Sequence, residues 1–250
     1  MTASPTTGSR LKRAIKGAVS FAACTVTAPL AFPELLLRRL RGGDVLFEGQ
    51  SQWMALFPGK IGMFLRAAYY HWTLRSCPLD VAIQFGAVFA HSDVRLGHRV
   101  YIGVRCSLGR VEIGDDCMLA DHVQVLSGRH QHGVSGGSVS FQQQERSFET
   151  VTVGANCWLG AGCIVMADVG AGAVIGAGSV VTRPIPPGSI AVGSPARVIR
   201  TTTSPNRPDS PDDTPGLPSS SQSSRSESAA ATAVSPTDPQ RGEHHDSASA

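Results

Sequence analysis

The sequence predicts an all-β solenoid preceded by helices and followed by an unstructured tail. Three observations carry this: an aliphatic residue that returns every six positions from residue 96 to residue 181, a helical-period aromatic stretch before it, and a Ser/Pro-rich end after it. Period six is neither the 3.6 of a helix nor the two of a strand, and it suits a coil with three short faces. With 27 Gly and 16 Pro beside only 9 Phe, 3 Trp and 3 Tyr, the core must be built from small and branched aliphatic side chains. A hydrophobic share of 42% with 16% charged excludes both wholesale disorder and a polytopic membrane protein.

In chain order, residues 1–44 come first. Gly17 to Pro33 carries no charge and is flanked by Lys12, Arg13 and Lys16 before it and Arg38, Arg39 and Arg41 after it. Its length sits at the bottom of the range for a spanning helix, about 17–25 residues, and Pro29 and Pro33 interrupt it, so the pattern does not by itself decide between binding and spanning a membrane. The order basic then apolar also resembles a signal sequence, without a small-x-small cleavage site before Pro33. The double basic flank favours peripheral contact of residues 12–41 with an anionic membrane surface, with a helix packed on the main domain as the equal alternative.

Residues 45–80 form the expected helical cap. Trp53, Leu56, Phe57, Ile61, Phe64, Leu65, Tyr69 and Trp72 recur every three to four positions, the mark of an amphipathic helix whose aromatic stripe is read as core.

The solenoid is placed at residues 81–200. Leu96-Gly97, Ile102-Gly103, Leu108-Gly109, Ile113-Gly114 and Leu119-Ala120 lead to Val125; after an insertion, Val153-Gly154 and Leu159-Gly160 lead to Val165, then Val169-Gly170 and Ile175-Gly176 to Val181. The aliphatic residue points inward, and the Gly or Ala beside it stands where a bulky side chain would crowd the turn. The fourth residue after the aliphatic is small, and Cys106, Cys117, Cys157 and Cys163 occupy that slot. No CxxC pair occurs, so these thiols are read as buried fillers, and a cytoplasmic location is expected. Roughly four coils of about eighteen residues follow from the repeat, at the usual strand spacing of about 4.8 Å. The step from Val165 to Val169 is two residues short and is expected to displace the neighbouring coils.

The tail, residues 201–250, holds 12 Ser and 7 Pro and no aromatic residue, and is expected to be disordered. It carries 3 Arg against 7 acidic residues, so residues 1–200 hold a basic surplus that suits phosphate-bearing partners. Position must choose among nucleotide cofactor, nucleic acid and lipid.

The repeat is broken at residues 127–150, which open Ser127-Gly128-Arg129-His130-Gln131-His132-Gly133. A long excursion from a regular coil is commonly a functional loop. The run VTVGANCWLGAGCIVMADVGAGAVIGAGSVVTRPIPPGSIAVGSPARVIR at 151–200 resembles the closing section of the galactoside, maltose and xenobiotic acetyltransferases. LSGRHQHG, with FLRAAYYHWTLRSC upstream, most resembles the exopolysaccharide branch known as colanic-acid-type O-acetyltransferases.

The resemblance to these hexapeptide-repeat acetyltransferases implies a left-handed parallel β-helix, a homotrimer, and acetyl-CoA as co-substrate with no metal. It implies a sugar hydroxyl as acceptor and no nucleic-acid partner. The family's general base falls on His130, with His132 the competitor, and a neutral imidazole suits proton removal near neutral pH. Cofactor contacts fall on Ala161 and Ala177 along the pantetheine arm, on Trp158 beside it, and on Thr182, Arg183, Arg197 and Arg200 toward the nucleotide end. Where small-sugar acetyltransferases carry an Asn, this chain has Gly103-Val104-Arg105, which leaves the acceptor open. Two rival readings are a zinc enzyme resembling the γ-class carbonic anhydrases, drawing on His91, His98, His122, His130 and His132, and a non-catalytic scaffold at a membrane.

Overall fold

The six-residue phase becomes three parallel sheets visited in turn. The computed structural model describes residues 7–129, 131, 140 and 143–201, with the side chains of residues 7–14 left aside. The chain divides into two units, Met1–Asn206 and Arg207–Ala250. The second unit, and with it the expected disordered tail beyond Thr201, lies outside the described residues.

The first unit begins with α1 (Thr7–Arg41), α2 (Phe47–Ala55) and α3 (Gly59–Thr73). The first coil supplies β1 (Ala82–Ile83), β2 (Val88–Phe89) and β3 (Arg95–Leu96); the second supplies β4 (Tyr101–Ile102), β5 (Ser107–Leu108) and β6 (Val111–Ile113). The third holds β7 (Met118–Leu119), β8 (Gln124–Val125) and, after the insertion, β9 (Val151–Val153). Then come β10 (Trp158–Leu159), β11 (Ile164–Val165), β12 (Val174–Ile175), β13 (Val180–Val181), β14 (Ser189–Val192) and β15 (Arg197–Thr201).

Each strand pairs in parallel with the strand one coil later, giving a seven-stranded sheet β1-β4-β7-β10-β12-β14-β15, a five-stranded sheet β2-β5-β8-β11-β13 and a three-stranded sheet β3-β6-β9. The path from Ala82 through Tyr101, Met118, Trp158 and Val174 to Ile190 makes five turns, one more than the repeat alone suggests. The extra turn comes from β1 and β14, which flank the strict repeat and extend the same ladder. The last strand, β15, folds back antiparallel on β14.

Side chains explain the coil. One residue of each strand pair points in, so Ile83, Ile102, Leu119, Leu159 and Ile175 stack as one buried ladder and Phe89, Leu108, Val125, Val165 and Val181 as another. Cys106, Cys117, Cys157 and Cys163 are buried fillers, and all six cysteines are free thiols. Burial pushes the thiols of Cys106 and Cys163 up to about 11 and about 12. Glycine beside the inward aliphatic has a steric cause: a Cβ on Gly114 would stand 2.5 Å from the backbone nitrogen of Ala155 in the next coil. The short step to Val169 does not displace the stack. Val169 bridges Val153 on one side and Ile185 on the other, so the missing residues come out of the corner and the third face narrows to single bridges.

The helical layer differs from expectation in two respects. The stripe from Trp53 to Trp72 is split into α2 and α3, because Pro58 and Gly59, the latter at φ +67°, end one helix and start another. Only part of the stripe is core: Tyr69 and Tyr70 are fully buried, but Trp53, Leu56 and Ile61 stand 64–77% exposed. Tyr70 packs against Phe89 at 4.5 Å between ring centroids, and Ser51 Oγ, 2.8 Å from the Tyr70 hydroxyl, accepts from the Phe89 amide, which fastens the layer to the coil. Burial raises the Tyr70 phenol well above its ordinary value.

The second difference is α1, a single helix through Pro29 and Pro33. Both prolines are exposed, so the carbonyls they leave without a helical donor can bond water, and the neighbouring helices hold α1 from the side: Trp72 Nε1 reaches Cys24 O at 3.3 Å and Gln50 Nε2 reaches Leu30 O at 3.0 Å. The buried carboxylate of Glu34 accepts from Arg38 at 3.0 Å and from the Leu46 amide at 3.0 Å, and Arg38 donates to Thr73 O, so one ion pair ties the end of α1 to both following helices.

Candidate functional site

The insertion leaves the coil at the corner between the five-stranded and three-stranded sheets, and its neck is tightly set. Ser127 is buried, its Oγ accepts from the Arg110 amide at 2.9 Å, and its carbonyl accepts from the Glu149 amide at 3.0 Å. Gly128 holds φ +84°, and a Cβ there would meet the Glu149 side chain at 2.7 Å, so glycine is required by both conformation and space. Arg129 then turns along the coil and donates Nη1 to Thr182 O at 3.0 Å. His130, and its competitor His132, lie outside the described residues.

Clefts flank this neck on both sides. Toward the C-terminal coils, a cleft of about 420 Å³ is lined by Arg129, Glu149, Met166, Asp168, Thr182 and Arg183, with further backbone around them. Asp168 is partly engaged, since its Oδ1 accepts from the Thr152 amide at 2.7 Å. Toward the N-terminal coils and α2, a cleft of about 290 Å³ is lined by Glu48, His91, Ser107, Ser127, Gln131 and Phe148 among others. The Phe148 ring lies 5.2 Å from the His91 ring, and the Arg110 guanidinium sits 5.6 Å over it. One cleft therefore offers two cations, two carboxylates and a hydroxyl; the other offers an aromatic face, a carboxylate, an amide and an imidazole.

The remaining expected residues occupy another edge. Ala161 and Ala177 stand exposed at the corner between the seven-stranded and five-stranded sheets, one coil apart, with the Gly178 amide donating to Ala161 O at 2.8 Å. In earlier coils this corner carries Arg105 and His122 at φ +54° and +61°, so side chains fit the conformation. Gly162 and Gly178 take the same position with open space around them, which leaves the corner bare beside both alanines. Trp158 projects from β10 onto the outer surface, 53% exposed, in register with Met118 and Val174. Arg197 and Arg200 lie on exposed β15, opposite Val192 and Ile190.

The fold thus brings Arg129, Thr182 and Arg183 together, and Ala161 with Ala177, but puts the five-stranded face between the two groups. Sequence reasoning did not single out Phe148 or Glu48. Phe148 could have been noticed as one of two aromatic residues in a polar insertion, whereas Glu48 reaches the cleft only through the docking of α2. Among the described residues, no group of three His, Cys, Asp or Glu side chains could hold a metal ion.

The comparisons with known proteins agree with this architecture. The hexapeptide repeat of succinyl-transferase matches residues 93–120 and 150–183. Nodulation protein L of Rhizobium leguminosarum bv. viciae is 38% identical over 170 residues, covering 63% of this chain and 77% of that protein. Its counterpart from Rhizobium meliloti (strain 1021) is 36% identical over 111 residues, covering 42% of this chain and 58% of the relative, so the chain spans little more than half of that relative's length. A maltose O-acetyltransferase structure from Clostridium difficile 630 is 25% identical with a TM-score of 0.55, covering 63% of this chain and 87% of its own. A hexapeptide-repeat-containing acetyltransferase from Vibrio cholerae, 18% identical with the same TM-score of 0.55 over 64% of this chain and 93% of its own, shares the fold. The chain belongs to the hexapeptide-repeat acetyltransferase family.

Proposed function

We propose that the protein transfers an acetyl group from acetyl-CoA to a hydroxyl of a sugar or polysaccharide precursor, with His130 as general base. The observation that carries this reading is the pair of clefts on either side of the loop neck that leads directly into His130, in a chain of this family. The imidazole takes the proton of the acceptor hydroxyl as its oxygen attacks the thioester carbonyl. Backbone N–H groups steady the oxyanion, and the CoA thiolate leaves. The cleft with Phe148, Glu48 and Gln131 suits a polyol, which needs an apolar face and fixed hydrogen-bond partners.

Acetyl-CoA fits the residues of the other edges. The bare corner at Ala161, Gly162, Ala177 and Gly178 allows close approach of a narrow pantetheine arm, with Trp158 beside it, and Thr182, Arg183, Arg197 and Arg200 serve the nucleotide end. Because the loop neck and the bare corner lie on different edges of one chain, the arrangement supports a site completed by a neighbouring subunit. A homotrimer of left-handed coils, as in the family, meets that need. The outward row Tyr101, Met118, Trp158, Val174 and Ile190 supplies an apolar surface for such association. Buried free thiols suit a reducing cytoplasm. Calorimetric titration with acetyl-CoA tests the donor: saturable binding at one site per chain is expected, and absence of binding would refute it.

A further inference from the structure

The side of α1 that faces the protein is its small and polar side. Ser20, Ala23, Thr27, Ala31 and Glu34, spaced three or four apart, are buried where α1 packs on α3. The large apolar residues face out, with Phe21 76%, Val26 68%, Phe32 64% and Leu40 71% exposed. A surface helix in water does the opposite, turning its apolar stripe to the core and its polar face to solvent. The outward surface continues onto α3, because Val19, Val26, Ile61, Phe64 and Leu65 line one apolar groove of about 200 Å³. Such a reversal costs nothing only if the outer medium is itself apolar.

Charge identifies that medium. Arg10, Lys12, Arg13, Lys16, Arg38, Arg39 and Arg41 lie in α1, whose single acid, Glu34, is buried and paired with Arg38. Among the described side chains, Lys16 stands exposed toward one end and Arg39 and Arg41 at the other, with the apolar surface between them, as an anionic lipid leaflet requires. A second copy of the same surface would bring like charges together. Ile15–Arg41 is long and apolar enough to cross a membrane. Crossing is opposed by the packing of its small-residue side on α3, which is itself fastened to the coil through Arg66 and Tyr70.

We propose that the helical layer is a membrane-docking surface on which α1 lies in the plane of an anionic leaflet, with Phe21, Val26, Phe32 and Ile61 inserted and the basic ends at the headgroups. The proposal does not depend on the acyl-transfer reading. It is tested by floating the full chain with vesicles of phosphatidylcholine alone and of phosphatidylcholine mixed with phosphatidylglycerol. The chain is expected to float with the mixed vesicles and much less with the neutral ones. The triple variant Phe21→Asp, Val26→Asp, Phe32→Asp should lose at least about tenfold in partitioning while the chain stays folded by circular dichroism, since these side chains stand 64–76% exposed. Failure of the chain to float with mixed vesicles, or equal flotation of the triple variant, would overturn the proposal. So would a fall in solution mass of the triple variant beside a wild type that does not float, which would make a second copy the occupant.

Discussion

Replacing His130 by alanine should lower acetyl transfer by about 10²–10⁴-fold, the usual contribution of a positioned base, while leaving the assembly and acetyl-CoA binding intact. The expectation rests on how the neck is built. Ser127 is held from both sides, Gly128 is fixed by its positive φ, and Arg129 is anchored to Thr182 O, so the chain enters residue 130 from a rigid support. A general base needs that support, because misplacement of the acceptor oxygen by about 1 Å can cost about 10²-fold. The matching variant His132→Ala should keep most of its turnover. The reverse pattern, with His130→Ala active and His132→Ala dead, would assign the base to His132.

Exchanging Arg66 for leucine should destabilise the protein by about 3–5 kcal/mol, read as a shift in the midpoint of urea unfolding. This guanidinium is fully buried, and burial lowers its proton affinity below the ordinary value. It donates Nε to Ile83 O at 2.9 Å and Nη1 to Phe57 O at 2.6 Å and Met54 O at 3.2 Å. Two of these carbonyls stand at the end of α2 and one at the start of the coil, so a single side chain closes the seam between helices and solenoid. Leucine fills much of the volume but takes the side-chain donor from the Ile83 and Phe57 carbonyls, while Met54 O keeps its backbone donor at the end of α2. A loss below about 1 kcal/mol would mean that water replaces the guanidinium and that the seam is looser than its burial implies.

The coil was legible because its constraint is the repeat itself. An inward residue at Leu108 or Leu159 must be aliphatic, the glycine beside it must admit the next backbone, and the slot at Cys106 or Cys163 must be small, so each position betrays its place. The helical layer was less legible. Residue pattern marks α1 as apolar, but which face packs inward depends on where α3 lies, and Pro29 and Pro33 looked like breaks until their exposure showed that little is lost there. The stripe from Trp53 to Trp72 looked like core for the same reason, since periodicity gives a face without saying what covers it. The antiparallel return of β15 follows no repeat. In the candidate site, His91 and Phe148 are far apart in sequence and meet only because the insertion neck folds against an earlier coil. Their contact could not be read from spacing. Ala161, Ala177, Thr182, Arg183 and His130 came from the family resemblance, and the fold adds that the first two sit on a different edge from the next two.

The most direct test is thiol release from acetyl-CoA by the purified chain in the presence of pooled saccharides. Acceptor-dependent release of free CoA, accompanied by an acetylated saccharide in the product mixture, is the predicted result. A chain that binds acetyl-CoA yet releases no thiol with any saccharide would contradict the assignment of sugar hydroxyls as acceptors, and one that neither binds nor releases would contradict acetyl transfer as its chemistry.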